Sequence, residues 1–176
     1  MDRPEPADAP TSSPSSPRPD PRASQVVMLA TYGAGGIGYF LGFYRLGSGG
    51  AVDAIVPVAL VSVGLVGVLS MIRHSLLHRS DAARMGWDYG RRNNFQIEVG
   101  FANLAIGAAA IAAVVGGWGV KAEAAVTLVY ALYFVQVAVL ALIDRPDGHL
   151  DVGRLAAMVS QAGMLGFFAV AALAAS

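Results

Sequence analysis

The chain has 176 residues, 55% hydrophobic and only 14% charged, with a mean hydropathy of +0.55 and a formal net charge of zero. Soluble domains carry about a quarter charged residues, and here the deficit falls in long blocks, which marks a membrane protein. The absence of cysteine excludes disulfides, thiolate metal sites, haem attachment and thiol nucleophiles.

Residues 1–24 hold seven of the nine prolines with many Ser, Asp and Arg residues. So little apolar surface cannot offset the entropy of ordering, so a disordered cytoplasmic tail is predicted. The apolar run that follows is too long for the core of a secretory signal and is read as an uncleaved first span. A helix needs about 20 predominantly apolar residues to cross the hydrocarbon, and residues 25–44 supply twenty without a charge. Their GAGGIG run matches the dinucleotide-binding fingerprint in letters alone. That motif requires a preceding strand and a βαβ unit, and a second span follows here instead. Gly38 and Gly42 read better as a small-xxx-small surface for close helix contact.

Residues 54–72 form the second span, with Pro57 in its first turn, where a missing amide donor costs little. The loop Arg73 to Asn93 is the most basic in the chain. Residues 95–115, 124–143 and 155–175 give three further spans, the last two following the loops GGWGVKAE and DRPDGHLDVGR. The predicted fold is therefore an all-α, polytopic transmembrane bundle over residues 25–176 with five spans, or four if the Gly-rich first segment does not cross. With five, ten basic residues (Arg3, Arg18, Arg22, Arg73, Arg79, Arg84, Arg91, Arg92, Arg145, Arg154) share one side and two (Arg45, Lys121) the other. Cytoplasmic loops carry the Lys/Arg excess, so a cell-membrane protein with its N-terminus inside and C-terminus outside is expected.

The run Gly86-Trp87, then Phe95-Gln96, Glu98 and Gly100-Phe101-Ala102-Asn103-Leu104 resembles the GW…PFQxEvGfANLgxG signature of a family of small prokaryotic integral membrane proteins of unknown function. The likeness covers roughly Leu77 to Leu142, with Asn94 where proline is usual and a longer insertion after the tryptophan. It implies a helical membrane bundle and no known activity. In size and helix number the chain is also loosely similar to the DoxX-like membrane proteins, some of which are associated with quinone-linked oxidation.

An ionisable residue in the hydrocarbon is a functional candidate because insertion costs a few kcal/mol. Glu98 lies about one turn inside the third span, some 5–8 Å deep at about 1.5 Å per residue. One reading has it snorkel to the interface or pair with Arg73, Arg91 or Arg92. The other makes it a buried carboxylate that carries or gates a proton. Tyr32, Gln136 and Gln161 fall near the same depth, so four helices are expected to share one polar cluster if these side chains point inward, with Gln136 and Asn103 bonded across helices. Gln96, Gly100, Asn103 and Gly107 recur at i, i+4, i+7 and i+11, on one helix face. Glu98 is displaced by about 200°, alongside Ala102, Ala105 and Ala109. Both faces of the third span are thus small or polar, which predicts a central helix or one that meets another protomer.

His74 and His78 lie four residues apart but lack a third ligand, and Arg73 and Arg79 would repel a cation, so no metal is expected. Arg73, Arg91 and Arg92 are assigned to anionic headgroups, and Trp87, Tyr89 and Trp118 to interfacial anchoring. No catalytic residue, cofactor or nucleic-acid partner is expected; the partners are the bilayer and either a second copy or another membrane protein. The leading functional expectation is a structural or accessory bundle without enzymatic activity. The alternatives are a small transporter or proton conduit through Glu98, and a quinone- or lipid-binding subunit of an oxidoreductase with Tyr32 and Gln136 as polar contacts.

Overall fold

A computed structural model of the chain describes residues 19–143 and 149–176, and among them forms six helices and no strand. Five are long and apolar enough to cross a membrane: α1 (Arg22–Gly49), α2 (Ala51–Leu76), α4 (Asn94–Val115), α5 (Val120–Ile143) and α6 (Val152–Ala174). The sixth, α3 (His78–Met85), is a short polar helix within the basic loop. The predicted disordered tail lies outside the described residues up to position 18, and its last residues already belong to α1, where Ser24 is buried.

Local caps and a turn glycine set several of the helix boundaries. Gly50, at φ 85°, separates α1 from α2 with no further connecting residue; a side chain there would be strained in this left-handed region. Asn93 caps α4 by accepting from the Gln96 amide at 3.2 Å, and Asp151 caps α6 by accepting from the Arg154 amide at 2.9 Å. Because α2 begins at Ala51, Pro57 lies inside the helix, not in its first turn. A proline there removes a donor and crowds the carbonyl one turn earlier. The backbone directly after it is widened to π-helix over Val58–Leu65, and again over Ile72–Leu76.

The helix at the centre of the bundle is α2; α4 does not take the central place that was one of the two alternatives for the third span. Its residues Ile55, Val58, Ala59 and Val63 are fully buried. It packs against α1 along its length, against α4 from Val58 onward, and against α5 and α6 through its first half, while α5 and α6 pack closely on each other. Ser62 of α2 seats on Gly38 of α1 and donates to the Gly35 carbonyl at 2.9 Å. Ser75 repeats the device on α4, seating on Gly100 and donating to the Ile97 carbonyl at 3.0 Å. Between them α2 and α4 touch backbone to backbone: a Cβ on Gly67 would lie 2.5 Å from the Asn103 carbonyl oxygen, and one on Gly107 2.8 Å from that of Gly64. Gly42 leaves room for Val58 and Phe168. Gly38, Gly42, Gly100 and Gly107 each lie against a neighbouring helix. In lipid, where tails are as apolar as leucine, this close van der Waals contact and the interhelical bonds drive association.

Candidate functional site

The densest polar cluster sits where α2, α3 and the start of α4 meet. Asp81, in the first turn of α3, has no exposed surface. Its carboxylate accepts from His74 Nδ1 at 3.0 Å, Arg84 Nη2 at 2.9 Å and Gln96 Nε2 at 3.0 Å, with Arg73 Nε at 3.8 Å. The wide turn of Ile72–Leu76 carries the sequential pair Arg73 and His74, and both reach this one carboxylate. Arg73 Nη2 also lies 2.5 Å from His74 Nε2. A guanidinium only donates, so Nε2 accepts and the imidazole proton sits on Nδ1, facing Asp81. The cluster thus gathers Arg73, His74 and Arg84 around one carboxylate. Burial alone would raise the Asp81 carboxyl, but the hydrogen bonds from His74 and Arg84 and the charge of Arg73 outweigh it and hold the pKa at about 2. Beside it, Ser80 donates to the Asp20 carbonyl at 2.6 Å and accepts from the Ser24 amide at 3.2 Å, which ties the start of α1 to α3.

A second polar group lies deeper. Asn103 accepts from the Tyr130 hydroxyl at 2.7 Å and bonds the Val99 carbonyl of its own helix at 2.8 Å, with the Tyr133 hydroxyl 3.4 Å away. Ser70 of α2 closes this group against Tyr130. Along α5, Glu123, Thr127 and Tyr130 stand at i, i+4 and i+7 on the buried face, and Glu123 Oε2 is buried without a hydrogen-bond partner. A third contact joins the Tyr39 hydroxyl of α1 to Gln161 Oε1 of α6. It forms part of an open cleft of about 360 Å³ between α1 and α6, lined by Tyr32, Tyr39, Ala157, Ser160, Gln161 and Met164.

The six candidate polar residues therefore separate. Gln96 and Asn103 share the buried face of α4, as predicted, but serve different clusters. Tyr32 and Gln161 meet at the α1–α6 cleft. Gln136 is exposed on α5 and does not bond Asn103, whose side-chain partners are the two tyrosines. Glu98 is exposed on the outer face of α4. The shared four-helix polar layer does not form, because depth along a helix fixes height but not direction. Tyr32 and Gln136, expected together around a quinone or lipid, point to different places. Arg73 is drawn into the Asp81 cluster instead of reaching headgroups, whereas Arg91 and Arg92 are exposed.

Asp81, Glu123 and Tyr130 escaped the sequence reading. The first two fall in stretches that read as loop, and Tyr130 lies within the uniformly apolar run 124–143. The i, i+4, i+7 spacing of Glu123, Thr127 and Tyr130 was the available signal. His74 and His78 do not share a site: His78 Nδ1 faces the Ser75 carbonyl at 3.0 Å, and the described residues contain no cluster of three or more metal-ligating acidic or histidine side chains.

No curated protein and no solved structure is detectably similar to the chain. A family of unknown function, DUF6790, matches residues 26–145, which takes in α1 to α5 and both polar clusters. On that match, the chain is a member of the DUF6790 family, an uncharacterised family to which no activity is attached.

Proposed function

We propose that the protein is an accessory bundle of the cell membrane without enzymatic activity, with its N-terminus in the cytoplasm and its C-terminus outside. The observation that carries this reading is the interlock of α2 with its neighbours. Gly67 and Gly107 bring two backbones into contact, Ser62 and Ser75 fill the space over Gly38 and Gly100, and Ala54, Ile55, Val58, Ala59 and Val63 of α2 are fully buried. Side chains seated on glycine leave little room for a substrate path. The Asp81 cluster, with every carboxylate bond directed to a protein donor, suits an anchor better than a reacting group. The orientation rests on the ten-to-two division of Lys and Arg and the cytoplasmic preference of such charges.

A second reading, a proton-coupled conduit, moves from Glu98 to Glu123. The buried file Glu123, Thr127, Tyr130 and Asn103 supports it, as does the orphaned Glu123 oxygen, since buried intramembrane carboxyls mark proton paths. Purified protein in liposomes with an entrapped pH indicator separates the two. The accessory reading predicts proton leak equal to that of protein-free vesicles. Leak above that level, abolished by Glu123→Gln, would overturn it in favour of the conduit.

A further inference from the structure

Where α1 turns into α2, each helix carries one charged side chain. Arg45 is separated from Arg22 by twenty-two uncharged residues, and Asp53 from Arg73 by nineteen. At about 1.5 Å per residue these stretches measure some 30–35 Å, close to the thickness of the hydrocarbon. Arg45 and Asp53 therefore stand at the boundary between hydrocarbon and headgroups. Beside them is Tyr44, 65% exposed, an aromatic of the kind that settles at this level. Both charged residues are exposed, and among the described residues neither forms an ion pair. Both line one open groove of about 450 Å³ between α1 and α2, a volume within the range of small-molecule sites, roughly 300–1,000 Å³. The Asp53 carboxylate lies over Gly49, where a side chain on α1 would displace it. Below the charges the groove is apolar. Leu41 comes one turn before Arg45, and Val56, Leu60 and Val61 come about one to two turns after Asp53.

We propose that this groove binds a zwitterionic phospholipid with a primary ammonium, of the phosphatidylethanolamine class. Arg45 holds the phosphate, Asp53 accepts hydrogen bonds from the ammonium, and one acyl chain lies along Leu41, Val56, Leu60 and Val61. Counted from the turn at Gly50, Arg45 is five residues down and Asp53 three, so the cation sits about 3 Å deeper. The charges of such a headgroup run in the same order, with the phosphate nearer the hydrocarbon than the amine. A guanidinium meets phosphate bidentately, and an ammonium gives a carboxylate a short, charge-assisted bond. The same pattern sets the preference among lipids. A trimethylated choline has no N–H to offer Asp53, and a glycerol headgroup leaves the carboxylate facing a net anion. In the proposed orientation the lipid belongs to the outer leaflet, but the recognition is the same whichever way the bundle is inserted.

The test is native mass spectrometry of the full chain, released from detergent that contains phosphatidylethanolamine, phosphatidylcholine and phosphatidylglycerol of identical acyl chains in equal amounts. The wild-type chain is expected to retain the ethanolamine lipid several-fold over the other two. Asp53→Asn should abolish its advantage over the choline lipid. Arg45→Gln should lower retention of all three lipids several-fold, and so should Val56→Trp, which fills the groove without altering either charge. All three positions are exposed, and the variants should unfold with the wild-type midpoint in lipid-free detergent, so a loss of retention reports the site and not the fold. Equal retention of the three lipids by the wild-type chain, or an ethanolamine preference unchanged by Asp53→Asn, would overturn the proposal. Retention indifferent to both Arg45→Gln and Val56→Trp would overturn its assignment to this groove. None of these results bears on proton leak, so this inference and the accessory reading fail separately.

Discussion

Asp81 takes hydrogen bonds from three side chains and has no exposed surface. Removing its charge leaves Arg73 and Arg84 as half-buried cations without an anion. Breaking a buried pair in this way costs about 3–5 kcal/mol. Asp81→Asn keeps one acceptor, so a loss near the lower end, about 3 kcal/mol, is expected for unfolding in detergent followed by circular dichroism. Exposed Arg91→Ala should change stability by less than about 0.5 kcal/mol in the same assay. The pH dependence has a definite sign. The carboxyl is held at about 2 in the folded protein against an ordinary 3.8, so the folded state favours the ionised form. That stabilisation, roughly 2–3 kcal/mol, is complete above the ordinary value and fades as pH falls from about 4 towards 2. Asp81→Asn should lack this part of the acid transition. An acid transition identical in the two proteins would contradict the assignment.

At the scale of elements, glycine positions separate into those that seat a neighbour and those that do not. Nothing lies within 4 Å of a Cβ placed on Gly33, whereas one on Gly67 meets the Asn103 carbonyl. Gly67→Ala forces α2 and α4 apart and should destabilise by about 1–3 kcal/mol, the usual range for overpacking. Gly33→Ala should be neutral or stabilising by up to about 1 kcal/mol, since alanine favours helix. Chemical unfolding of the two variants side by side checks the contrast. Spacing in the sequence was enough to place Gly38, Gly42, Gly100 and Gly107 on packing faces, because helical phase is a local property. It was also enough to put Gln96 and Asn103 on one side of α4 and Glu98 on the other. It could not say which side faced protein, since small residues suit either a core or a helix–helix contact. The α2 helix escaped notice as the centre because uniformly apolar sequence carries no phase. Asp81 was hidden because its five-residue approach from α2, through Leu77 into α3, reads as a basic loop until the chain is folded.

For the whole molecule, hydropathy located all five long helices, since the length of an apolar run is set by the bilayer and not by tertiary contacts. Their order around α2 was not legible, because which faces meet depends on contacts between residues far apart in the chain. In the proposed orientation, with the N-terminus inside and five crossings, α3, Asp81 and the foot of α4 lie in the cytoplasm and Glu123 near the outer surface. The most direct test of that frame is labelling of single cysteines in intact cells with a membrane-impermeant maleimide. Ser48→Cys, Lys121→Cys and Ser176→Cys, all at exposed positions, should label from outside. Asp88→Cys and Arg154→Cys, also exposed, should label only after the cells are opened. Outside labelling of Asp88→Cys, or Ser48→Cys and Ser176→Cys appearing on opposite sides, would contradict the five-span, N-terminus-inside account.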